Sequence, residues 1–437
     1  MEKTKQNVAK FLKKHDMYHA DIDMEATCRT FLQEMDRGLA GRKGSLAMLP
    51  TYLDIERKIP RNKPVIVMDA GGTNFRVATV TFAPDGVAVV EDFRVYPMPG
   101  IKKEVGKEEF FGTMAGYVAD VLDESRNIGF CFSYPIEMFP SKDGRALYFS
   151  KEIKAPEAAG QMIGQSLNVA IRRMGEAGKK HVILLNDTVA TLLAGRGSAV
   201  GRRYDSYIGF ILGTGTNTSY VEQNSKITKA EDLDPAKSQI VNIESGGFGK
   251  APRGSIDEDF DAGSVSPGIN VFEKMISGAY LGPLCLRTAH VGARNGLFSR
   301  AAARKLRAVE EATTKDISDF LMLPETGDNP LAKALAGERQ EDVVTLYYLV
   351  DALVERAAKL TAINLSSAAI KCGKGQNPCR PVCIVAEGTT FYHLWSLKHR
   401  VECYLTQYLT NKKDVHYDII NVDNATLIGA AIAGLTN

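Results

Sequence analysis

Val65-Ile-Val-Met-Asp-Ala-Gly-Gly-Thr-Asn-Phe-Arg-Val-Ala-Thr-Val-Thr-Phe82 is the stretch on which the reading of this chain turns. Two apolar runs rich in β-branched residues flank a Gly-Gly pair, the pattern of two strands joined by a tight turn. The first run ends in Asp69, and the turn brings Gly71, Gly72, Thr73 and Asn74 in quick succession. Glycines there allow φ > 0 and close approach, so backbone N–H groups can face an anion. Thr73 and Asn74 add polar groups, and Asp69 could hold a hydrated Mg²⁺. The plainer reading of the same residues is a hairpin turn with an incidental carboxylate. The chain has no G-x-x-x-x-G-K-[ST] element and no G-x-G-x-x-G opening a helix, which argues against P-loop and Rossmann folds.

The same theme returns at Tyr207-Ile-Gly-Phe-Ile-Leu212, followed by Gly213-Thr-Gly215 and a strand-like run at 218–222. One such turn in each of two related lobes would clamp a nucleotide between them, with the Thr214 hydroxyl donating to a phosphate oxygen. Further strand windows fall at 87–90, 93–96, 128–134, 182–185, 381–386 and 415–420. Helical periodicity fills 1 to about 45, 108–124, 157–174, 271–291, 301–311, 341–370, a stretch from about 390, and the small-residue segment 425–435. Alternating strands and helices predict an α/β protein.

Leu184-Leu-Asn-Asp-Thr-Val-Ala190 reads as a buried strand delivering Asn186 and Asp187 into the start of a helix. Capping is the bland explanation, because Asn and Asp are favoured N-caps. Strand ends are also where α/β sheets place ligands. A carboxylate there can take a proton from a substrate hydroxyl if its pKa lies below the working pH. Ser133, Ser150, Lys151, Asn217, Glu244 and Glu273 are scattered polar candidates that could converge on a polyol. Glu273 lies in a helical window, so on its own it reads as a surface charge.

Composition sets the bounds. The chain has 437 residues, 44% of them apolar and 24% charged, which suits a bilobal globular protein rather than a disordered or fibrous one. A net charge of +2 gives no basic surplus for nucleic acid. The longest apolar stretch, 425–435, is too short to span a bilayer, and Met1-Glu-Lys-Thr-Lys5 opens no secretory signal. Seven scattered cysteines fit reduced thiols in a cytoplasm. Cys372, Cys379 and Cys383 offer one zinc-type interval, Cys379 to Cys383, and no matching His pair nearby, so they read as free thiols. Trp395 is expected to pack in the helix after 390.

In order along the chain stand Met48-Leu-Pro-Thr-Tyr52, Met68-Asp-Ala-Gly-Gly-Thr-Asn-Phe-Arg-Val77, Phe132-Ser-Tyr-Pro135, Asn186-Asp-Thr-Val189 and Gly213-Thr-Gly-Thr-Asn217. Ile243-Glu-Ser-Gly-Gly-Phe-Gly249, the segment from Asp261 to Gly268, and Phe272-Glu-Lys-Met-Ile-Ser-Gly-Ala-Tyr-Leu-Gly282 follow. On these motifs the chain resembles a hexokinase of the sugar-kinase, actin and heat-shock-protein ATPase superfamily. The resemblance implies a two-lobe actin-like ATPase (ribonuclease H-like) fold with the active site in the interlobe cleft. It further implies ATP-dependent phosphorylation of a hexose, glucose first, at the 6-hydroxyl, with Mg²⁺, feeding glycolysis. Asp187 matches the family's general base. Ser133, Asn186, Asn217, Glu244 and Glu273 match sugar-binding residues, and Ser150-Lys151 takes the place of a Thr-Lys pair whose lysine also neutralises the transferring phosphoryl group. Asp69, Gly71, Gly72, Thr73, Asn74 and Arg76 match the first phosphate loop, and Gly213, Thr214 and Gly215 the second. Gly388 and Thr389, in Glu387-Gly-Thr-Thr390, match an adenosine segment that more usually reads Asp-Gly-Ser.

The chain departs from that pattern in three places. Ile243-Glu-Ser-Gly lacks the usual aromatic after Glu, Asn424-Ala-Thr-Leu-Ile-Gly429 replaces a glycine-rich stretch, and 290–380 carries no firm motif. The expected small lobe is 60–186 plus 425–437, and the expected large lobe is 1–59 plus 187–424. Expected partners are the hexose and Mg-ATP, with no nucleic acid and no membrane span, as a monomer or homodimer. A kinase of another hexose such as mannose or fructose, and a sugar-binding regulator without catalysis, are the rival readings.

Overall fold

The computed structural model describes residues 1–149, 153–175, 178–198 and 201–437, so Ser150 and Lys151 lie outside the described residues. Strands β1 (Leu49–Pro50), β2 (Val65–Gly71), β3 (Asn74–Phe82) and β4 (Ala88–Pro97) come first. Next are β5 (Asn127–Phe132), β6 (Ile136–Met138), β7 (Gly144–Ala146) and β8 (His181–Leu185). The second half adds β9 (Ser206–Leu212), β10 (Thr216–Gln223), β11 (Ser238–Asn242), β12 (Val382–Glu387) and β13 (Tyr417–Ile420).

Apart from β6 and β7, which form a separate antiparallel pair, these strands form two large sheets, ordered β4-β3-β2-β5-β8 and β1-β11-β10-β9-β12-β13. In the first, β2–β3–β4 is an antiparallel meander and β5 and β8 add parallel to β2. In the second, β9–β10–β11 is again an antiparallel meander and β12 and β13 add parallel to β9. The return of the glycine-turn theme in the sequence is therefore a repeat of topology. In both sheets the first hairpin turn follows the first strand of the meander, Gly71 pairing with Asn74 in one and Leu212 with Thr216 in the other.

Parallel strands buried on both faces read as unbroken apolar runs, which is why β2, β5, β8 and β12 were legible as strands. Several elements differ from expectation. The windows 87–90 and 93–96 are one strand, β4, whose pairing with β3 slips between Val77 and Thr79 and whose Asp92 adopts φ +50°. The helical window 157–174 is a single turn at Pro156–Ala158 followed by a helix only from Ile163 to Arg173. The window 271–291 is two helices, Glu273–Ile276 and Leu281–Arg294. Trp395 lies between the helices Thr389–His393 and Leu397–Leu405 and remains 45% exposed, so it is not packed as expected.

The helix Ala425–Thr436 returns to lie against β5 and the helix Asp187–Ser198. Small residues make this possible: a Cβ on Gly129 of β5 would sit 1.8 Å from the Ala430 carbonyl oxygen. Gly129→Ala therefore forces the helix off the sheet, and unfolding in denaturant should show a loss of roughly 1–3 kcal/mol, as for overpacked cores. Among the described residues no helix is long and apolar enough to cross a membrane.

Candidate active site

β8 ends at Leu185 and releases Asn186 and Asp187 at the start of the helix Asp187–Ser198. Asn186 does cap this helix: the Thr188 N–H donates to its Oδ1 at 2.9 Å and also to Asp187 Oδ1 at 2.7 Å. Capping and placement at a strand end coincide, so the two readings of this dipeptide are not rivals. Burial pushes the Asp187 carboxyl up to about 6; the Thr188 N–H pulls it back, while the negative charges of Glu244 and Asp69 add to the rise. It stays a carboxylate at neutral pH, with a proton affinity well above that of an ordinary Asp.

Asn217 on β10 and Asn242 at the end of β11 build the opposite wall. Asn217 Nδ2 donates to Asn242 Oδ1 at 2.8 Å and to Glu244 Oε1 at 3.3 Å, and Asn242 Nδ2 donates to the same Glu244 oxygen at 2.7 Å. Glu244 takes the left-handed conformation, φ +57° and ψ +52°. A non-glycine residue there is held against local strain, and such strain gathers at functional sites. The carboxylate is open to the cleft yet ringed by protein. That desolvation raises its pKa, opposed by the Asn242 amide and reinforced by Glu273.

Glu273 is not a surface charge. It is half-buried and its Oε2 accepts the Thr216 N–H at 2.9 Å. The short helix Glu273–Ile276 stops immediately afterwards, because Gly278 N–H donates to the Gly213 carbonyl at 2.8 Å and Ala279 N–H to the Thr214 carbonyl at 3.0 Å. The helix break thus braces the turn 213–215.

Ser133, Asn186, Asp187, Asn217, Glu244 and Glu273 all line one cleft of about 450 Å³. Asn242, Asn270, Thr216 and Tyr134 line it too and were not singled out in the sequence. Asn242 was within reach: it is two positions before Glu244, where the period of a strand returns side chains to one face. Nothing in the sequence marks Asn270.

The turn between β2 and β3 carries Gly72 at φ +57° and leaves Gly72, Thr73 and Asn74 exposed. Asp69 beneath it is 3% exposed; Arg76 Nη1 donates to its Oδ2 at 3.1 Å and Thr426 Oγ1 to the same oxygen at 2.9 Å. Its Oδ1 faces Gly71, where an added Cβ would lie 3.6 Å away. A buried carboxylate with one oxygen tied and the other turned towards a glycine turn fits a water-mediated cation site. At the second turn Gly213 N–H closes on the Gly215 carbonyl at 2.9 Å and Thr214 is exposed. Thr390 Oγ1 donates to the Gly213 carbonyl at 2.9 Å, which sets Gly388 and Thr389 beside this turn.

A family model described as Hexokinase matches residues 7–196, and a second of the same description matches 207–436. Hexokinase-7 of Oryza sativa subsp. japonica is 29% identical over 427 residues, 91% of this chain and 90% of the rice protein. Hexokinase-1 of Arabidopsis thaliana is 29% identical over 439 residues, 91% of this chain and 85% of that one. The solved hexokinase from Schistosoma mansoni complexed with glucose matches with a TM-score of 0.78 at 23% identity, over 99% of both chains. The architecture is accordingly the two-lobe, actin-like sugar-kinase fold. With models of one family matching either half of the sequence, the chain belongs to the hexokinase family.

Proposed function

We propose that this chain transfers the terminal phosphoryl group of Mg-ATP to the 6-hydroxyl of a hexose, glucose by preference, and so supplies glycolysis with hexose 6-phosphate. The observation that carries this reading is the Asp187 carboxylate, its proton affinity raised, in a cleft whose polar lining is a set of amides, hydroxyls and carboxylates suited to a polyol. Asn186, Asn217, Glu244, Glu273 and Ser133 hold the hexose hydroxyls, and Asp187 accepts the proton of the 6-hydroxyl as its oxygen attacks. Lys151 and Ser150 are assigned to the same site on resemblance alone. The turns at 71–74 and 213–215 hold the phosphates through backbone N–H groups and Thr214, with Gly388 and Thr389 at the adenosine. Asp69 would hold Mg²⁺ through water, and the ion would neutralise charge on the transferring group. The lobes are taken as 60–186 with 425–437 against 1–59 with 187–424, closing on the sugar to expel water.

The test is turnover with Mg-ATP against glucose, mannose, fructose, glucosamine and N-acetylglucosamine. Glucose should give the highest kcat/KM; hexose binding without turnover for any sugar would leave a sugar-binding regulator instead. The pH profile should carry the Asp187 titration. The base works only when ionised, so kcat/KM for the hexose should fall about tenfold per unit below about pH 6 and level off above it. A profile flat down to pH 5 would remove Asp187 from that role.

A further inference from the structure

Tyr134 joins the hexose wall to the first glycine turn. Its hydroxyl donates to the Gly72 carbonyl at 2.5 Å. The residue is 4% exposed, and its ring packs against Phe132 and Phe149, with centroids 5.1 and 5.4 Å away. One residue earlier, the Ser133 N–H donates to the Ala70 carbonyl at 3.0 Å, while the Ser133 side chain lines the cleft. Segment 133–134 is therefore bonded to the β2 strand and its turn at two points.

The bond to Gly72 has a directional consequence. In a planar trans peptide the carbonyl and the following N–H point in opposite directions. Fixing the Gly72 carbonyl on Tyr134 fixes the Thr73 N–H pointing away from Tyr134, and Thr73 is exposed. We infer that Tyr134 is a positioning residue that aims the Thr73 N–H at a nucleotide phosphate and mechanically links that turn to the hexose wall. This rests on the reading of the 71–74 turn as a phosphate site.

Tyr134→Phe removes the hydroxyl and keeps the ring. Calorimetric titration with a non-hydrolysable ATP analogue and Mg²⁺ should show about a 2–10-fold weaker Kd, the worth of one neutral hydrogen bond. Glucose affinity without nucleotide should stay within about twofold, a split that a general loss of packing would not produce. Equal nucleotide affinity in variant and wild type, or equal weakening for both ligands, overturns the role of Tyr134 alone. A wild type that does not bind the analogue overturns the phosphate reading and this inference together. Should the variant not fold, amide exchange of the wild type decides: the Thr73 N–H should be slowed by the Mg-bound analogue, and unchanged exchange refutes the aim.

Discussion

Asp187→Asn lowers kcat by about 10²–10⁴, the usual cost of losing a positioned general base, equivalent to about 3–5.5 kcal/mol of barrier. The substitution is unusually clean here. Asn can still accept the Thr188 N–H that Asp187 Oδ1 now accepts, so the helix start keeps its cap. Hexose affinity should stay within a few-fold, because the amide remains a hydrogen-bonding partner of similar shape. The variant should also be slightly more stable at neutral pH. A carboxyl whose native pKa is raised to about 6 holds more protons in the native than in the unfolded state between the ordinary Asp value and 6. Stability from this group is therefore lost as pH rises through that window, and a neutral amide does not incur the loss. Steady-state kinetics reads the first effect, calorimetric hexose binding the second, and denaturant unfolding at neutral pH the third. Turnover within tenfold of wild type would take the base role away from Asp187.

Glu244→Ala should raise the hexose Kd by about 10–100-fold, in line with the loss of hydrogen bonds to a charged acceptor. Its carboxylate is the common acceptor for the Asn242 and Asn217 amides, and both are left without it when the side chain goes. kcat at saturating sugar should fall much less than in Asp187→Asn, since Glu244 handles no proton in transit. Backbone strain complicates Ala, because position 244 is left-handed. Glu244→Gly relieves the strain and removes the same carboxylate. If Glu244→Gly binds hexose as tightly as wild type, Glu244 makes no energetic contact with the sugar.

The two glycine turns and the Asn186–Asp187 strand end were readable because each depends on local chemistry: an apolar run ending in a glycine turn, with Gly72 at φ > 0 in the first, and a cap. The parallel strands β5, β8 and β12 were readable for the same reason, as unbroken apolar runs between turns. What escaped depends on distant partners. β11 is antiparallel to β10 and its residues show no strong alternation, so Asn242 went unmarked until pairing placed it beside Asn217. Glu273 sits on a four-residue helix, and its bond from the Thr216 N–H and its place in the cleft are what distinguish it from a surface charge. The break after Ile276 has the same origin, since periodicity cannot register two backbone bonds to a turn sixty residues upstream. Thr426 falls where the family's glycine-rich stretch is replaced, and its bond to Asp69 crosses nearly the whole sequence.

That last contact has a consequence for biosynthesis. The sheet β4-β3-β2-β5-β8 is complete in sequence by Leu185, yet Gly129 and Asp69 await partners from residues 425–436. During translation this half would emerge from the ribosome with its helix-facing side bare for the time needed to synthesise over two hundred further residues. Nascent chains stalled before residue 425 should accordingly be more sensitive to protease and more dependent on chaperones than chains stalled after the helix has cleared the exit tunnel.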